Sequence, residues 1–387
     1  MDRRWFGSQK RYPHCFILLI KSSTEDAKWK LSAARFYPLS ATRGRTLGND
    51  HPIERAKCPV FVVGCHRSGT NLIYNNLMSA GGFAVYRGYL PIYKMLIPRF
   101  GTMEKIENRR KIMETWLRSK GFRRSDLDPN QLMELAVNTF HTGGDFIRGV
   151  MGAIARNQGV DRWAVYDPDN VLYIQKIKAD IPEALFIHII RDGRDIALSL
   201  KKMGEFRPLP WDRRSGSLLA TALYWEWTVR KGRRYGVQIP DDYIEIQYEE
   251  LVRNPASTLA KLGSFLHHDL DYERIQSGVT RLKSNSSFVE EEKGRANPVQ
   301  RWKDKLSTQD IAGIEALVGP CLEEFGYSLT TPQRERERGL QEKWMRAVYP
   351  LFLDAKLALK IRTPLGRMAN LSALELTDSA APEDLPT

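Results

Sequence analysis

Residues 59–82 read Pro59-Val-Phe-Val-Val-Gly64-Cys-His-Arg67-Ser-Gly69-Thr-Asn-Leu-Ile-Tyr-Asn-Asn-Leu-Met-Ser-Ala80-Gly-Gly82. Val60, Phe61, Val62 and Val63 form an unbroken apolar run, the pattern of a strand covered on both faces. From Gly69 the period changes: Leu72, Ile73, Leu77 and Ala80 recur at helical spacing, and Gly81-Gly82 stops the helix. Backbone N–H groups at a helix start have no partner within the helix, and the helix dipole adds partial positive charge there. Gly64 and Gly69 let the turn curl close to an oxyanion. Ser68 and Thr70 add hydroxyl donors, and Arg67 brings a charged fork that fits phosphate or sulfate. The stretch therefore predicts a strand, an anion cradle and a helix.

Gly64 and Gly69 have the spacing of a P-loop, which suggests a nucleotide hydrolase or kinase. That motif places Lys and then Ser or Thr directly after its second glycine, to reach the outer phosphates and hold magnesium. Thr70 and Asn71 stand there instead, and the cation, Arg67, lies inside the loop. The pattern predicts an anion bound without a metal.

The chain has 387 residues, 42% hydrophobic and 27% charged, as an ordinary globular protein does, and length allows one large domain or two ordinary ones. Of its net charge of +13, residues 1–57 carry +7, residues 331–387 carry +1, and residues 58–330 the remaining +5. That mild bias suits an anionic ligand and argues against a nucleic-acid partner. Cys15, Cys58, Cys65 and Cys321 form no metal-type Cys-x-x-Cys and read as reduced, with Cys65 a small filler of the loop. The apolar run 15–20 is too short for a signal h-region, and no later run approaches a membrane span, so a cytoplasmic protein is expected.

In chain order, residues 1–57 read as a basic, weakly ordered extension. Strand candidates are 83–86, 163–166, 185–190 and 243–247, alternating with helix candidates at 104–119, 129–156 (interrupted near Gly143-Gly144) and from Asn254-Pro255 to about Leu266. This alternation predicts an α/β fold: a parallel sheet with helices on both faces, and ligands at the carboxyl ends of the strands. Residues 331–387 differ in texture. Leu340, Trp344, Val348 and Leu351 give an apolar stripe beside Lys343 and Arg346, broken by Pro350. Packing on its own domain is the expected role of that helical extension, with a partner subunit or peripheral membrane contact through 340–367 as the alternatives. The tail from Thr377 reads as disordered.

Residues 185–190 run directly into Arg191-Asp-Gly-Arg194-Asp195-Ile-Ala-Leu-Ser199. Arg191 ends the strand, and Ser199 faces the same cleft two helical turns on, so a guanidinium and a hydroxyl converge. Taken with the Gly-x-x-Arg-Ser-Gly-Thr loop, this resembles the sulfotransferases that use 3′-phosphoadenosine 5′-phosphosulfate (PAPS). Ile181-Pro182-Glu183-Ala184, Tyr248-Glu249-Glu250-Leu251 before Asn254-Pro255, and Lys293-Gly294-Arg295 leading to Arg301-Trp302-Lys303 are similar to family elements, in family order.

The resemblance implies a three-layer, P-loop-NTPase-like sulfotransferase domain over 58–330 that moves a sulfuryl group from PAPS to a small-molecule, lipid or glycan acceptor, without a metal. It implies that Arg67, Ser68, Gly69, Thr70 and Asn71 hold the 5′-phosphosulfate, and that Arg191 and Ser199 hold the 3′-phosphate. Lys293, Gly294 and Arg295 form the third contact, with Glu292 where cytosolic members carry Arg, and Trp302 closes the site. Asp192 and Arg194 read as structural. The acceptor must lose a proton. Asp167, at the tip of the third strand, is the first choice of base and His66, in the loop, the second; His188 alternates into the sheet as a core residue. The competing reading is a P-loop kinase or nucleotide hydrolase, and oligomeric state stays open.

Overall fold

The computed structural model describes residues 54–203, 217–277, 298–336 and 339–377. β1 (Val60–Gly64) is buried throughout, as its unbroken apolar run requires. Phe61 and Val63 enter one hydrophobic layer with Trp163, Val165 and Phe186, while Val60 and Val62 enter another with Leu185, Ile187 and Ile189. A strand with both faces covered has no polar side to spare, which explains the absence of alternation.

β2 (Phe83–Ala84), β3 (Arg162–Tyr166), β4 (Leu185–Ile190) and β5 (Tyr243–Gln247) complete a parallel sheet in the order β2-β3-β1-β4-β5. β1 is central: Val60 pairs with Ala164 on one side and Leu185 on the other. The chain leaves β1 toward β3 and later returns to the opposite side at β4. The carboxyl ends of these three strands therefore frame the crevice where such sheets take ligands.

On one face lie the helices Ile106–Leu117 and Gly143–Asn157; on the other lie Thr70–Ala80 and Pro255–Leu266. A third apolar layer joins Gly193–Met203, Leu218–Gly236 and Thr308–Glu324. The expected helix over 129–156 is two, Pro129–Thr139 and Gly143–Asn157. Thr142 restarts the second, accepting from the Asp145 N–H while the Asp145 carboxylate accepts from the Thr142 N–H.

The C-terminal helix Leu340–Arg362 runs through Pro350 instead of breaking there. Proline costs a helix one hydrogen bond. Here Tyr349 and Leu353 are buried in the third layer, and the Trp227 indole N–H donates to Asp354 at 2.8 Å, so tertiary packing carries the helix across. Leu340, Trp344 and Leu351 are exposed on its other side. No helix among the described residues is long and apolar enough to cross a membrane.

Candidate active site

The β1 loop and the helix Thr70–Ala80 meet as the sequence predicts. Gly69 caps the helix at φ 105°, where only glycine is unstrained, and a Cβ there would lie 2.5 Å from the Tyr248 ring. Arg67 also adopts a left-handed backbone, at φ 72°. That conformation costs a residue with a Cβ on the order of 1 kcal/mol. It aims the guanidinium across the crevice, where Nε donates to Ser199 Oγ at 3.1 Å.

Arg191 leaves the end of β4 toward the same place. Its Nη1 donates to the Arg67 carbonyl at 3.3 Å and its Nη2 to the Pro298 carbonyl at 2.7 Å, while its plane lies 4.3 Å over the Tyr248 ring. The Nε–H of Arg191 is buried with no hydrogen-bond partner among the described residues. A buried, unmatched guanidinium N–H in a basic wall is a vacancy in hydrogen bonding that an anion can satisfy. Tyr248, wedged between Gly69 and Arg191, is a site residue that sequence reasoning used only as a family marker.

The neighbouring ions are structural. Arg194 is almost fully buried, paired with Asp192 at 2.7 Å and Glu315 at 2.6 Å, and stacked 3.8 Å from the Trp302 ring. The Asp195 carboxylate accepts from the Gln300 and Trp302 backbone N–H groups at 2.9 and 3.0 Å. These bonds fasten residues 300–302 to the start of the Gly193–Met203 helix.

At the tip of β3, Asp167 and Asp169 share a short turn in which Asp167 Oδ1 accepts from the Asp169 N–H at 3.0 Å. Asp169 is saturated: His66 Nε2 lies 3.2 Å from its Oδ1, and the Lys94 ammonium pairs with its Oδ2. Burial alone would raise the Asp169 carboxyl, but His66 and Lys94 hold it well below the usual range. Asp167 receives the opposite treatment. Its Oδ2 is buried without a hydrogen-bond partner among the described residues, and burial, reinforced by the Asp169 charge, pushes its pKa up to about 6. For His66, burial works against the charged ring, yet the Asp169 carboxylate prevails and holds its pKa above the ordinary value. Lys94 was not legible as a site residue, although a lone cation in the aromatic stretch Tyr89-Leu-Pro-Ile-Tyr-Lys94 is a signal in hindsight.

His66, Arg67, Gly69, Thr70, Asn71, Asp167, Arg191 and Ser199 all line one cavity of about 830 Å³, joined by Lys94, Tyr248 and Arg301. Two expected members do not. Ser68 is fully buried beneath the loop, its hydroxyl filling the space a Gly64 Cβ would need and its N–H donating to the Cys65 carbonyl at 3.1 Å. Trp302 is buried under Arg194, away from the cavity wall, because the Asp195 carboxylate pins its backbone. Lys293, Gly294 and Arg295 lie outside the described residues, as do residues 1–53, 204–216 and 378–387. Cys65 is a buried filler, and burial pushes its thiol far up. His188 is buried, with Nδ1 2.6 Å from the Tyr243 hydroxyl.

The fold and the site together define an α/β protein of the P-loop-like class whose anion loop carries an internal arginine where the nucleotide hydrolases carry a lysine after the second glycine. Residues 59–273, more than half of the chain, match the sulfotransferase family, and the chain belongs to that family. No curated protein matches it by sequence. Among solved structures it is similar to the sulfotransferase domain of the curacin biosynthetic pathway, at 16% identity and TM-score 0.45, over 70% of this chain and 98% of that one. It is also similar to the sulfotransferase domain of the Synechococcus PCC 7002 olefin synthase (17%, TM-score 0.45, 72% and 98%). A third likeness is to the sulfotransferase STF9 from Mycobacterium avium (14%, TM-score 0.41, 73% and 80%). The family assignment rests on the match over residues 59–273, these structural likenesses being distant.

Proposed function

We propose that the protein transfers a sulfuryl group from PAPS to a hydroxyl or amine of a small-molecule, lipid or carbohydrate acceptor. The observation that carries this is the joining of the two anion-binding motifs in one wall: Arg67 donates to Ser199, and Arg191 donates to the Arg67 carbonyl. A donor with charge at two separate positions, a 5′-phosphosulfate and a 3′-phosphate, fits two joined arginine sites. A nucleoside triphosphate leaves the second without a purpose.

In this reading Arg67, Thr70, Asn71 and the loop N–H groups hold the 5′ end of the donor, and Arg191 and Ser199 the 3′-phosphate. Bound there, the donor supplies the activated sulfuryl group. Asp167 accepts the acceptor proton as the acceptor oxygen or nitrogen bonds to sulfur. Arg67 and the loop hold the charge that builds on the departing phosphate oxygen as its bond to sulfur breaks. Asp167 suits this better than His66, because Asp169 favours the imidazolium form of His66, which has no lone pair to take a proton. Lys94 and His66 neutralise Asp169, so a single carboxylate is left basic beside the acceptor.

The test is thermal unfolding of the wild type and Arg191→Ala with 3′-phosphoadenosine 5′-phosphate, adenosine 5′-phosphate, or ATP with magnesium. At about 100 times its Kd a ligand stabilises by about 2.7 kcal/mol. The proposal expects the bisphosphorylated nucleotide alone to stabilise the wild type and Arg191→Ala to lose the response. Equal or greater stabilisation by ATP with magnesium would turn the reading to a nucleotide hydrolase or kinase.

A further inference from the structure

The cavity continues past Asp167 to a second basic wall that the donor does not explain. Arg87, Lys120 and Arg124 line it, supplied by two separate segments that are drawn together where Arg124 Nη1 donates to the Arg87 carbonyl at 3.2 Å. Tyr166, the residue before Asp167, lines the same cavity as both regions. The basic wall and the carboxylate that would take the acceptor proton therefore face one cavity. A carboxylate already sits on it. Glu375 reaches in from the C-terminal segment and pairs with Lys120 at 2.8 Å, and that bond, with the nearby charge of Lys120 and Arg124, holds its carboxyl below the usual range. The segment is anchored on either side of Glu375, by Leu374, buried with Trp116 and Phe122, and by the Thr377 N–H donating to the Arg118 carbonyl at 3.0 Å. The Glu375 side chain itself is 61% exposed. It can leave Lys120 without undoing either anchor.

We propose that this wall is a binding site for an anionic group on the acceptor, a carboxylate, sulfate or phosphate ester, held by Lys120, Arg124 and Arg87, and that the acceptor displaces the resident Glu375 carboxylate. The inference rests on reading the cavity as donor site plus acceptor site. The acceptor class it names is an acidic alcohol, phenol or sugar, whose anion and reacting group share this cavity. A neutral acceptor would leave this wall to Glu375 and gain nothing from it.

Matched probes decide it. Binding to the protein, with and without 3′-phosphoadenosine 5′-phosphate, is measured calorimetrically for 4-hydroxyphenylacetate against its amide, and for octyl β-D-glucuronide against octyl β-D-glucoside. The expected result is a preference of about 10-fold for the charged member of at least one pair, the scale of a charge-assisted contact. Lys120→Gln with Arg124→Gln should abolish it, and Glu375→Gln should tighten the charged probe several-fold. All three positions are partly or largely solvent-exposed, so the variants fold. Equal binding within both pairs, or a preference that survives loss of Lys120 and Arg124, overturns the site; unchanged affinity in Glu375→Gln overturns the displacement. Thermal shifts by the nucleotide in the same samples report on the donor reading separately, because the titrations without nucleotide still measure charge preference.

Discussion

The two ends of the cavity are built on different plans. At the end proposed for the donor, Arg67 and Arg191 leave the carboxyl ends of adjacent parallel strands and are locked to each other, to Ser199 and over Tyr248. At the end proposed for the acceptor, Arg87, Lys120 and Glu375 come from loops and short turns far apart in sequence, held by a few side-chain bonds. A wall hung on neighbouring strands is placed by the sheet register and tolerates little change. A wall assembled from loops can be altered without disturbing the sheet. On the proposed reading, the architecture separates a rigid donor wall from an adjustable acceptor wall.

The largest blow to the donor end should come from a residue that touches no ligand. Arg194→Ala removes the buried cation between Asp192 and Glu315, leaving Asp192 without its ion pair and Glu315 held by Thr330 and Thr331 alone. The expected loss is about 3–5 kcal/mol of stability, read as a large fall in the urea midpoint. Arg191→Ala, three residues away, should lower the midpoint less, since it removes bonds to two carbonyls and a distant pairing with Asp195 rather than a close two-carboxylate network, while losing nucleotide binding. Equal midpoints for the two variants would erase the distinction between scaffold and site.

Arg67→Lys comes next. It keeps the charge but not the fork that spans the crevice, so turnover, followed as release of 3′-phosphoadenosine 5′-phosphate from the donor, should fall by about 10²–10³, the scale of losing one preorganised donor to a developing oxyanion. Full activity in this variant would show that charge alone suffices at that position.

The third experiment sits on the border between the two ends. Because folding raises the Asp167 pKa to about 6 from the ordinary 3.8, the folded state holds a proton that the unfolded state releases between those values. Stability therefore falls as pH rises through that window, and above it the buried charge costs on the order of 2–3 kcal/mol. Asp167→Asn should be more stable than wild type by about that amount at pH 7.5, with the gap closing toward pH 4. It should also lose about 10²–10⁴ in turnover and the rise in kcat/KM through about pH 6 that ionisation of the base imposes. A gap independent of pH would mean that Asp167 titrates normally.

Legibility in the sequence follows the same division. β1, its loop and helix, and the segment from β4 through Ser199 could be read because each motif is contiguous and its spacing is set by strand and helix geometry. That the Ser68 hydroxyl lies buried beside Gly64 was not legible, because a hydroxyl in an anion loop looks the same in sequence whether it lines the cavity or sits beneath the loop. The break at Pro350 failed because tertiary packing of Tyr349 and Leu353 outweighed a local cost. Lys94, Lys120 and Glu375 were invisible as site residues because their position depends on which loops meet. The task of Asp169 was not legible either, since it depends on Lys94 arriving from a segment 75 residues away.

The left-handed backbone at Arg67 has a consequence for laboratory evolution. Among the residues of the cradle, this side chain occupies a conformation that glycine adopts without strain. A population selected only for folding, with no demand for product, should sample Arg67→Gly, which relieves the backbone at the cost of the bond to Ser199. Reversion to arginine under renewed selection for product would then measure, in generations, how strongly chemistry and folding pull this single position in opposite directions.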